Sequence, residues 1–286
     1  MKYSALIGNP VDHSVSPAMF DYVANKLKIE YAHLKINVPS EKDLLSYLEA
    51  LTKVGFCGVN VTIPYKVDVV KYMDFLDNTA VETKTVNTIK IVDGKLYGYN
   101  TDGIAAVQAI EHRLLTLTSE TNVLLIGAGG AARAIICELY KRTKNIVVMN
   151  RFYDEAKSMI ALVSEDIPIR KLIPDIYHTE ISKADFVINA TSVGMYPNNQ
   201  EKLFSSSILR EIPSIKNKCF FDAIFNPYET RFLSNAAQFG AKTCSGLYMM
   251  IYQILLAFSI WTDLTITDID VDSVNEKLRK DAFVLM

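Results

Sequence analysis

The chain has 286 residues, half of which are hydrophobic, and its formal net charge is −2. This length allows one large domain or two moderate ones, and a charged fraction of 22% is ordinary for a globular protein. No block of basic side chains is present to bind a phosphate backbone, so nucleic acid is not expected as a partner.

Cysteine usage and the apolar segments further narrow the class of protein that the sequence allows. The strand predicted from Tyr3 shows no signal-peptide pattern, and residues 247–261 are fewer than the roughly 20 that span a bilayer. We therefore predict a buried helix at 247–261, no membrane partner and a cytoplasmic location. The four cysteines are reduced thiols in this interpretation, without the spacing of a metal site: Cys57, Cys137, Cys219 and Cys244.

Hydrophobic periodicity predicts alternating strands and helices in the N-terminal third of the chain. Two strands flank Asp93-Gly94, a dipeptide typical of a tight hairpin turn. The predicted strands are residues 3–7, 32–38, 58–62, 88–92 and 95–99, and the predicted helices are residues 16–27 and 40–54.

After a break near Thr101, strands and helices alternate again. This alternation predicts parallel sheets covered by helices on both faces, so the expected fold class is α/β. The predicted strands are residues 123–126, 146–149, 167–172, 186–190 and 219–223, and the predicted helices are residues 131–142 and 153–163.

A glycine-rich turn joins the strand at 123–126 to the helix that follows it. Gly127 permits the tight turn, Gly129 allows the backbone to approach a pyrophosphate, and Ala132 keeps helix and strand close. Free N–H groups at the helix N-terminus then face the phosphates. With a strand before it and a helix after it, the turn predicts a dinucleotide site.

The next strand ends at Asn150-Arg151, where NAD-binding folds carry an acidic residue. A guanidinium at this place favours the 2′-phosphate of NADP. Asp154 and Glu155 weaken the positive field, so NADP is the preferred cofactor and NAD stays possible.

Two polar loops carry candidate substrate residues. Ser16 before Pro17 predicts an N-cap with proline at N1, and Ser14 and Ser16 beside a helix N-terminus also suit a carboxylate. Pro64 predicts another helix start, which places Lys66 in a first turn where the helix dipole disfavours a charged amine. A surface lysine is the alternative interpretation.

Three more polar residues have both a structural and a functional interpretation. Thr101 or Asp102 can cap a helix that starts near Gly103. A capping Asp102 can still pair with Lys66 for proton transfer beside a hydride-carrying cofactor. Gln253 lies on the most apolar helix, where a buried amide costs roughly 1–3 kcal/mol if its hydrogen bonds are not made. Asn87 stands at a strand start, where a turn role is equally open.

Over essentially its full length the chain resembles the shikimate dehydrogenase family. The matching motifs occur in order at residues 8–17, 60–66, 86–88, 100–103, 127–132, 189–192 and 246–253. The resemblance implies a substrate domain with a mainly parallel mixed sheet and a Rossmann-type doubly wound NADP domain, with the active site in the cleft between them. The implied boundaries are residues 1–101 plus 246–286 for the first domain and residues 102–245 for the second.

The resemblance also implies residue roles and a reaction. Lys66 and Asp102 are the implied catalytic pair for reversible NADPH-dependent reduction of 3-dehydroshikimate to shikimate, a step of aromatic amino acid and chorismate biosynthesis. The substrate would be held by Ser14, Ser16, Thr62, Lys66, Asn87, Asp102 and Gln253. The cofactor would be held by Gly127, Ala128, Gly129, Gly130, Ala131, Asn150, Arg151 and Thr191, with Gly246 near the nicotinamide.

The chain departs from the family pattern at several positions. Phe225 stands where a tyrosine is usual, Arg231 follows Thr230 where many members have proline, and Phe152 and Glu155 replace a threonine and a basic residue. An NAD-dependent quinate/shikimate dehydrogenase and a non-catalytic nucleotide-binding sensor therefore stay as alternatives. In each case the partner is a small molecule, and the chain is a monomer or a homodimer.

Overall fold

The computed structural model describes residues 1–12, 14–267 and 269–281. The chain divides into two compact units, Met1–Thr101 with Gln253–Met286, and Asp102–Tyr252. The second division falls inside a helix, whereas the boundary expected at residue 246 is the first residue of that helix. The domain boundaries stay a prediction.

The first unit is built on a six-stranded mixed sheet. Its strands are β1 (Lys2–Gly8), β2 (Tyr31–Asn37), β3 (Gly58–Val61), β4 (Phe75–Leu76), β5 (Thr88–Val92) and β6 (Lys95–Tyr99), in the order β2-β1-β3-β5-β6-β4. β1 is parallel to β2 and β3, and β4 is parallel to β6, whereas β5 is antiparallel to β3 and β6. The helices of this segment are α1 (Ser16–Lys26), α2 (Leu44–Lys53) and α3 (Asn78–Thr83).

Local patterns account for most of this unit. Of the four leucines at helical spacing in α2, Leu44, Leu48 and Leu51 are buried against the sheet, whereas Leu45 is exposed. Asp93 and Gly94 both have positive φ, 50° and 77°, which is the geometry that a tight hairpin turn between β5 and β6 requires. The hairpin prediction is confirmed. The two-residue strand β4 was not predicted, because so short a strand shows no periodicity.

The second unit is built on a six-stranded sheet in which every pairing is parallel. Its strands are β7 (Val123–Ile126), β8 (Ile146–Met149), β9 (Ile169–Arg170), β10 (Phe186–Asn189), β11 (Cys219–Asp222) and β12 (Lys242–Cys244), in the order β12-β11-β10-β7-β8-β9. This is the doubly wound order of dinucleotide-binding folds, with a switch point between β7 and β10. The predicted strand at 167–172 is reduced to β9, and β12 was missed.

Helices cover both faces of this second sheet. Leu124 and Ile126 pack against helix residues such as Tyr177 and Phe232, while the intervening Leu125 points to the opposite face and is also fully buried. The helices are α4 (Asp102–Arg113), α5 (Gly130–Tyr140), α6 (Tyr153–Ile160), α7 (Pro174–Lys183), α8 (Ser206–Arg210) and α9 (Arg231–Gln238). The predicted α/β class, with one mixed and one doubly wound sheet, is confirmed.

Two helices close the described chain, α10 (Gly246–Thr262) and α11 (Val271–Asp281). Leu247, Ile254 and Phe258 of α10 are buried, so the predicted core helix is confirmed. Near its end, the Trp261 indole N–H donates to the Ile89 carbonyl at 2.8 Å. Among the helices that the structure describes, none is long and apolar enough to cross a membrane.

Candidate active site

The substrate motifs of the first unit meet at one edge of its sheet. β1 and β3 run parallel and end at this edge, β5 starts there because it is antiparallel to β3, and β6 returns to it. The loops after β1 and β3 pack so closely that a Cβ on Gly8 would lie 2.5 Å from the Thr62 methyl group. Only glycine fits at this close contact. The contact places the serine loop beside the loop that carries Lys66.

Lys66 lies in a turn, not in the first turn of an α-helix, so that prediction was wrong. Residues 63–67 form turns, and only a short 3-10 helix, Asp68–Tyr72, follows them. The reason is tertiary hydrogen bonding: the Lys66 carbonyl accepts from the Val86 N–H at 2.8 Å, and the Tyr65 hydroxyl donates to the Val38 carbonyl at 2.7 Å. The helix-dipole argument therefore does not apply to Lys66, whose side chain is half-buried.

Asn87 connects the start of β5 to the residue that precedes Asp102. Its side-chain NH2 donates to the Thr101 hydroxyl at 3.0 Å, and its side-chain oxygen accepts from the Thr101 N–H at 2.9 Å. Both residues are buried. Asn87 therefore has a structural role, because its side-chain amide holds the segment after β6 against the start of β5. Asp102, the next residue, is the first residue of α4 and is only 1% exposed.

The serine loop differs from its prediction by one residue. α1 begins at Ser16 with Val15 as N-cap, so the prediction that Ser16 caps the helix was wrong. Ser14 is half-buried and its hydroxyl accepts the Ser16 N–H at 3.2 Å. The Ser16 hydroxyl is buried and lies 3.1 Å from Nε2 of His33, a contact that sequence reasoning missed. His13 of the same motif lies outside the described residues.

The glycine-rich turn has the geometry that its sequence predicts. Gly127 has φ +114°, and a Cβ there would lie 2.8 Å from the Ala190 carbonyl oxygen. Gly129 is the N-cap of α5, and a Cβ there would meet no heavy atom within 4 Å. Ala132 is fully buried between helix and sheet. The turn therefore leaves space above Gly129 while Gly127 and Ala132 are tightly packed, and Ala128, Gly130 and Ala131 complete it.

Beside this turn, two buried polar residues support the loop after β10. The Asn189 side-chain oxygen accepts from the Thr191 N–H at 3.0 Å and from the Thr191 hydroxyl at 2.7 Å. The Asn189 NH2 donates to Asp222 at 3.0 Å. Sequence reasoning singled out neither residue as a support, although each is the polar last residue of an otherwise apolar strand.

Asp222 is fully buried, and burial raises the pKa of its carboxyl to about 7. Hydrogen bonds from the Thr230 hydroxyl, the Ile224 N–H and the Asn189 NH2 oppose that rise. These three donors tie the ends of β10 and β11 to the start of α9.

The raised pKa of Asp222 predicts a pH effect on stability. Its folded-state pKa of about 7 exceeds the ordinary value of 3.8, so the folded state binds more protons between these pH values. Its contribution to the free energy of unfolding therefore falls as pH rises through this window, by at most about 1.4 kcal/mol per pH unit.

Urea unfolding of the wild type and Asp222→Asn at pH 5, 6 and 7 checks this prediction. Asparagine cannot titrate, so the stability advantage of the wild type over the variant should shrink as pH rises. An advantage that is constant across the three pH values contradicts it.

The end of β8 carries the residues expected at the adenosine side of a cofactor. The Asn150 NH2 donates to the Phe152 carbonyl at 2.8 Å and to Glu155 at 3.1 Å. The Arg151 side chain is exposed, with its guanidinium 5.4 Å from the centre of the Phe152 ring. An accessible cation and a nearby carboxylate therefore occur together, as the sequence indicated.

The two remaining candidates lie on α10. A Cβ on Gly246 would lie 2.5 Å from the Ala223 carbonyl oxygen, so close packing of backbone requires glycine here. Gln253 is half-buried, not fully buried as expected. Within residues 1–12, 14–267 and 269–281, no three His, Cys, Asp or Glu side chains are grouped so that they could hold a metal ion.

A doubly wound parallel sheet with a glycine-rich turn at its switch point places this chain in the class of dinucleotide-binding proteins. A family model of the shikimate dehydrogenase substrate binding domain matches residues 6–89, and one of shikimate / quinate 5-dehydrogenase matches residues 109–227. The chain belongs to the shikimate dehydrogenase family.

Individual relatives agree with this assignment. The chain is 40% identical over 265 residues to a shikimate dehydrogenase (NADP(+)) of Methanococcus vannielii, covering 90% of each chain. It matches a crystal structure of a shikimate dehydrogenase in complex with NADP+ with a TM-score of 0.88 and 35% identity, over 99% of this chain and 96% of that one. A quinate dehydrogenase of Corynebacterium glutamicum in complex with NAD gives a TM-score of 0.85 and 27% identity, over 100% and 99%.

Proposed function

We propose that this chain catalyses the reversible, NADPH-dependent reduction of 3-dehydroshikimate to shikimate, a reaction of aromatic amino acid biosynthesis. The observation that carries the proposal is the 40% identity to a shikimate dehydrogenase (NADP(+)) along 90% of the chain. The glycine-rich turn at the switch point of the second sheet supports it independently.

The cofactor is NADP(H), which when bound supplies the hydride for the carbonyl carbon. The N–H groups at the start of α5 face its pyrophosphate in this proposal, because Gly129 leaves room for a close approach. Thr191 is held beside the turn by Asn189, and Gly246 lies near the nicotinamide. Asn150 and Arg151 take the adenosine ribose and its 2′-phosphate, for which an exposed guanidinium is well suited.

Lys66 donates a proton to the substrate oxygen during reduction and accepts it back during oxidation. A positioned amine can also polarise the carbonyl through its charge. Asp102 orients this amine and the reacting hydroxyl. Two observations support the pairing: the Lys66 backbone is hydrogen-bonded to Val86, and the adjacent Asn87 holds Thr101, which directly precedes Asp102.

The substrate carboxylate is bound by the hydroxyls of Ser14 and Ser16 near the start of α1. A hydroxyl can donate to a carboxylate, and the partial positive charge of a helix N-terminus favours an anion there. Thr62 follows β3 at the same sheet edge. The ring hydroxyls are bound by Thr62, Asn87, Asp102 and Gln253 in this proposal.

A second candidate function is quinate oxidation with NAD. Three observations favour it: Phe225 lacks the hydroxyl that is usual at its position, Glu155 lies next to Asn150, and the chain is similar to a quinate dehydrogenase bound to NAD. A non-catalytic sensor is less well supported, because a protein that only binds ligands needs neither Lys66 nor Asp102.

Oxidation rates with shikimate or quinate, each with NADP or NAD, separate these functions. We expect the highest kcat/KM for shikimate with NADP, by about tenfold or more over quinate with NAD, equal to about 1.4 kcal/mol of discrimination. The absorbance of the reduced nicotinamide is the measurement. A reversed order supports the quinate enzyme, and cofactor binding without turnover on either substrate supports the sensor.

A further inference from the structure

A row of buried hydroxyl and imidazole groups leads from the interior of the first unit to Ser16. Ser4 on β1 and His33 on β2 are directly opposite in the strand register, and the Ser4 hydroxyl lies 2.6 Å from Nδ1 of His33. The Tyr31 hydroxyl donates to Ser4 on one side. On the other side, Nε2 of His33 lies 3.1 Å from the Ser16 hydroxyl.

From this row we propose that His33 is a positioning residue that donates from Nε2–H to the Ser16 hydroxyl and so directs the Ser16 proton toward the carboxylate of the substrate. The inference deepens the proposed function and rests on it. His33 itself touches no substrate in this account; it acts through Ser16.

Each hydrogen bond in the row is assigned a direction in this proposal. In the proposed assignment, the Ser4 hydroxyl accepts from Tyr31 and donates its one proton to Nδ1 of His33. Nδ1 is then an acceptor. With this assignment the single ring proton of the neutral histidine lies on Nε2, which faces Ser16. Ser16 accepts this proton, and its own proton is left to donate elsewhere.

The surroundings keep His33 and Tyr31 in the required protonation states. Burial lowers the pKa of His33 to about 3, so the imidazole is neutral at physiological pH. Burial also raises the pKa of Tyr31, which therefore remains a donor. Phe20 stacks on the His33 ring with centroids 4.0 Å apart, and Trp261 lies on the same aromatic cluster. These rings exclude water molecules that could otherwise reverse the direction of the hydrogen bonds.

A serine fixed as a donor discriminates between ligands by charge. An unconstrained hydroxyl can either donate or accept, so it binds anions and neutral donors alike. A hydroxyl that already accepts from Nε2–H favours a carboxylate. The Ser14 hydroxyl already accepts from the Ser16 N–H, so the row provides a second oriented donor beside it for an acid.

Kinetics of His33→Phe and His33→Gln test the proposal. Phenylalanine keeps the stacking on Phe20 but removes the donor to Ser16, so KM for shikimate should rise about tenfold while kcat and KM for NADP change less than about threefold. Glutamine offers an N–H near the position of Nε2 and should recover most of the lost affinity. A purely structural role predicts no such separation of the shikimate KM from the other constants.

A double-mutant cycle with Ser16→Ala gives the deciding comparison. Because His33 acts only through the Ser16 hydroxyl, His33→Phe should add nothing to the shikimate KM of Ser16→Ala. Additive effects overturn the proposal. If the wild type turns over no shikimate at all, the proposed function fails instead, so the two failures are distinguishable.

The histidine tautomer can be read without any variant being active. In the ¹⁵N-labelled wild type, the His33 signals should show a proton on Nε2 and none on Nδ1, and His33→Gln identifies them among the four histidines. A proton on Nδ1 overturns the proposal, because Ser16 would then have to donate to Nε2.

Discussion

Replacing Lys66 with alanine should lower kcat for shikimate oxidation by about 10² to 10⁴, the usual contribution of positioned proton transfer. The chain should stay folded, because the hydrogen bond to Val86 is made by the Lys66 backbone carbonyl and not by its amine. The measurement is kcat at saturating shikimate and NADP, with the thermal midpoint recorded beside it.

Lys71→Ala is the matched control for this variant. Lys71 lies in the short 3-10 helix that follows the same turn, and its exposed amine pairs with Glu41 at the surface. Because this pair is exposed and screened by solvent, removing it should leave both the thermal midpoint and kcat nearly unaltered. If Lys66→Ala retains turnover within about threefold of the wild type, Lys66 is not the proton donor.

Local sequence patterns predicted ten of the twelve strands of the described chain and the helices next to the proposed cofactor turn. The strand before Gly127, the positive-φ turn at Asp93-Gly94 and the apolar face of α2 each depend on residues close together in the chain. Such features are encoded by turn stereochemistry and hydrophobic spacing. The strands β4 and β12 were missed because two or three residues carry no period.

The errors occur where distant residues decide the local conformation. Pro64 suggested a helix start, but the Val86 N–H donates to the Lys66 carbonyl and the chain forms a turn instead. Ser16 had the composition of an N-cap, but Val15 occupies that position and the Ser16 side chain lies beside His33. Both outcomes depend on partners at least 17 residues away, which propensity and spacing do not encode.

The two buried residues that support the loop after β10 could not be predicted from the sequence either. Asn189 and Asp222 end two buried strands, and the pairing of β10 with β11 places these residues side by side. The role of each residue can be explained once the strand order of the sheet is known. In the sequence, they are only single polar residues after apolar runs.

The two glycines of the cofactor turn should separate folding from cofactor binding. Gly127→Ala should destabilise the protein by about 2–4 kcal/mol, because alanine is strained at positive φ and its methyl group would meet backbone. The φ of Gly127 is +114°, and a Cβ there would lie 2.8 Å from the Ala190 carbonyl oxygen. The free energy of unfolding in urea measures this effect.

Gly129→Ala should have the opposite profile. Gly129 has extended backbone that any residue adopts, φ −74° and ψ −171°, and its added methyl group would meet no protein atom within 4 Å. Stability should therefore change by less than about 1 kcal/mol. The space above Gly129 is where the pyrophosphate approaches the backbone in our proposal, so KM for NADP should rise about tenfold, which is about 1.4 kcal/mol.

Comparing the two variants in one assay distinguishes a binding site from a merely compact turn. If Gly129→Ala binds NADP as tightly as the wild type, the space above Gly129 is not used by the cofactor. A loss of affinity together with an unchanged free energy of unfolding assigns that space to the ligand, since no protein contact is altered by the methyl group.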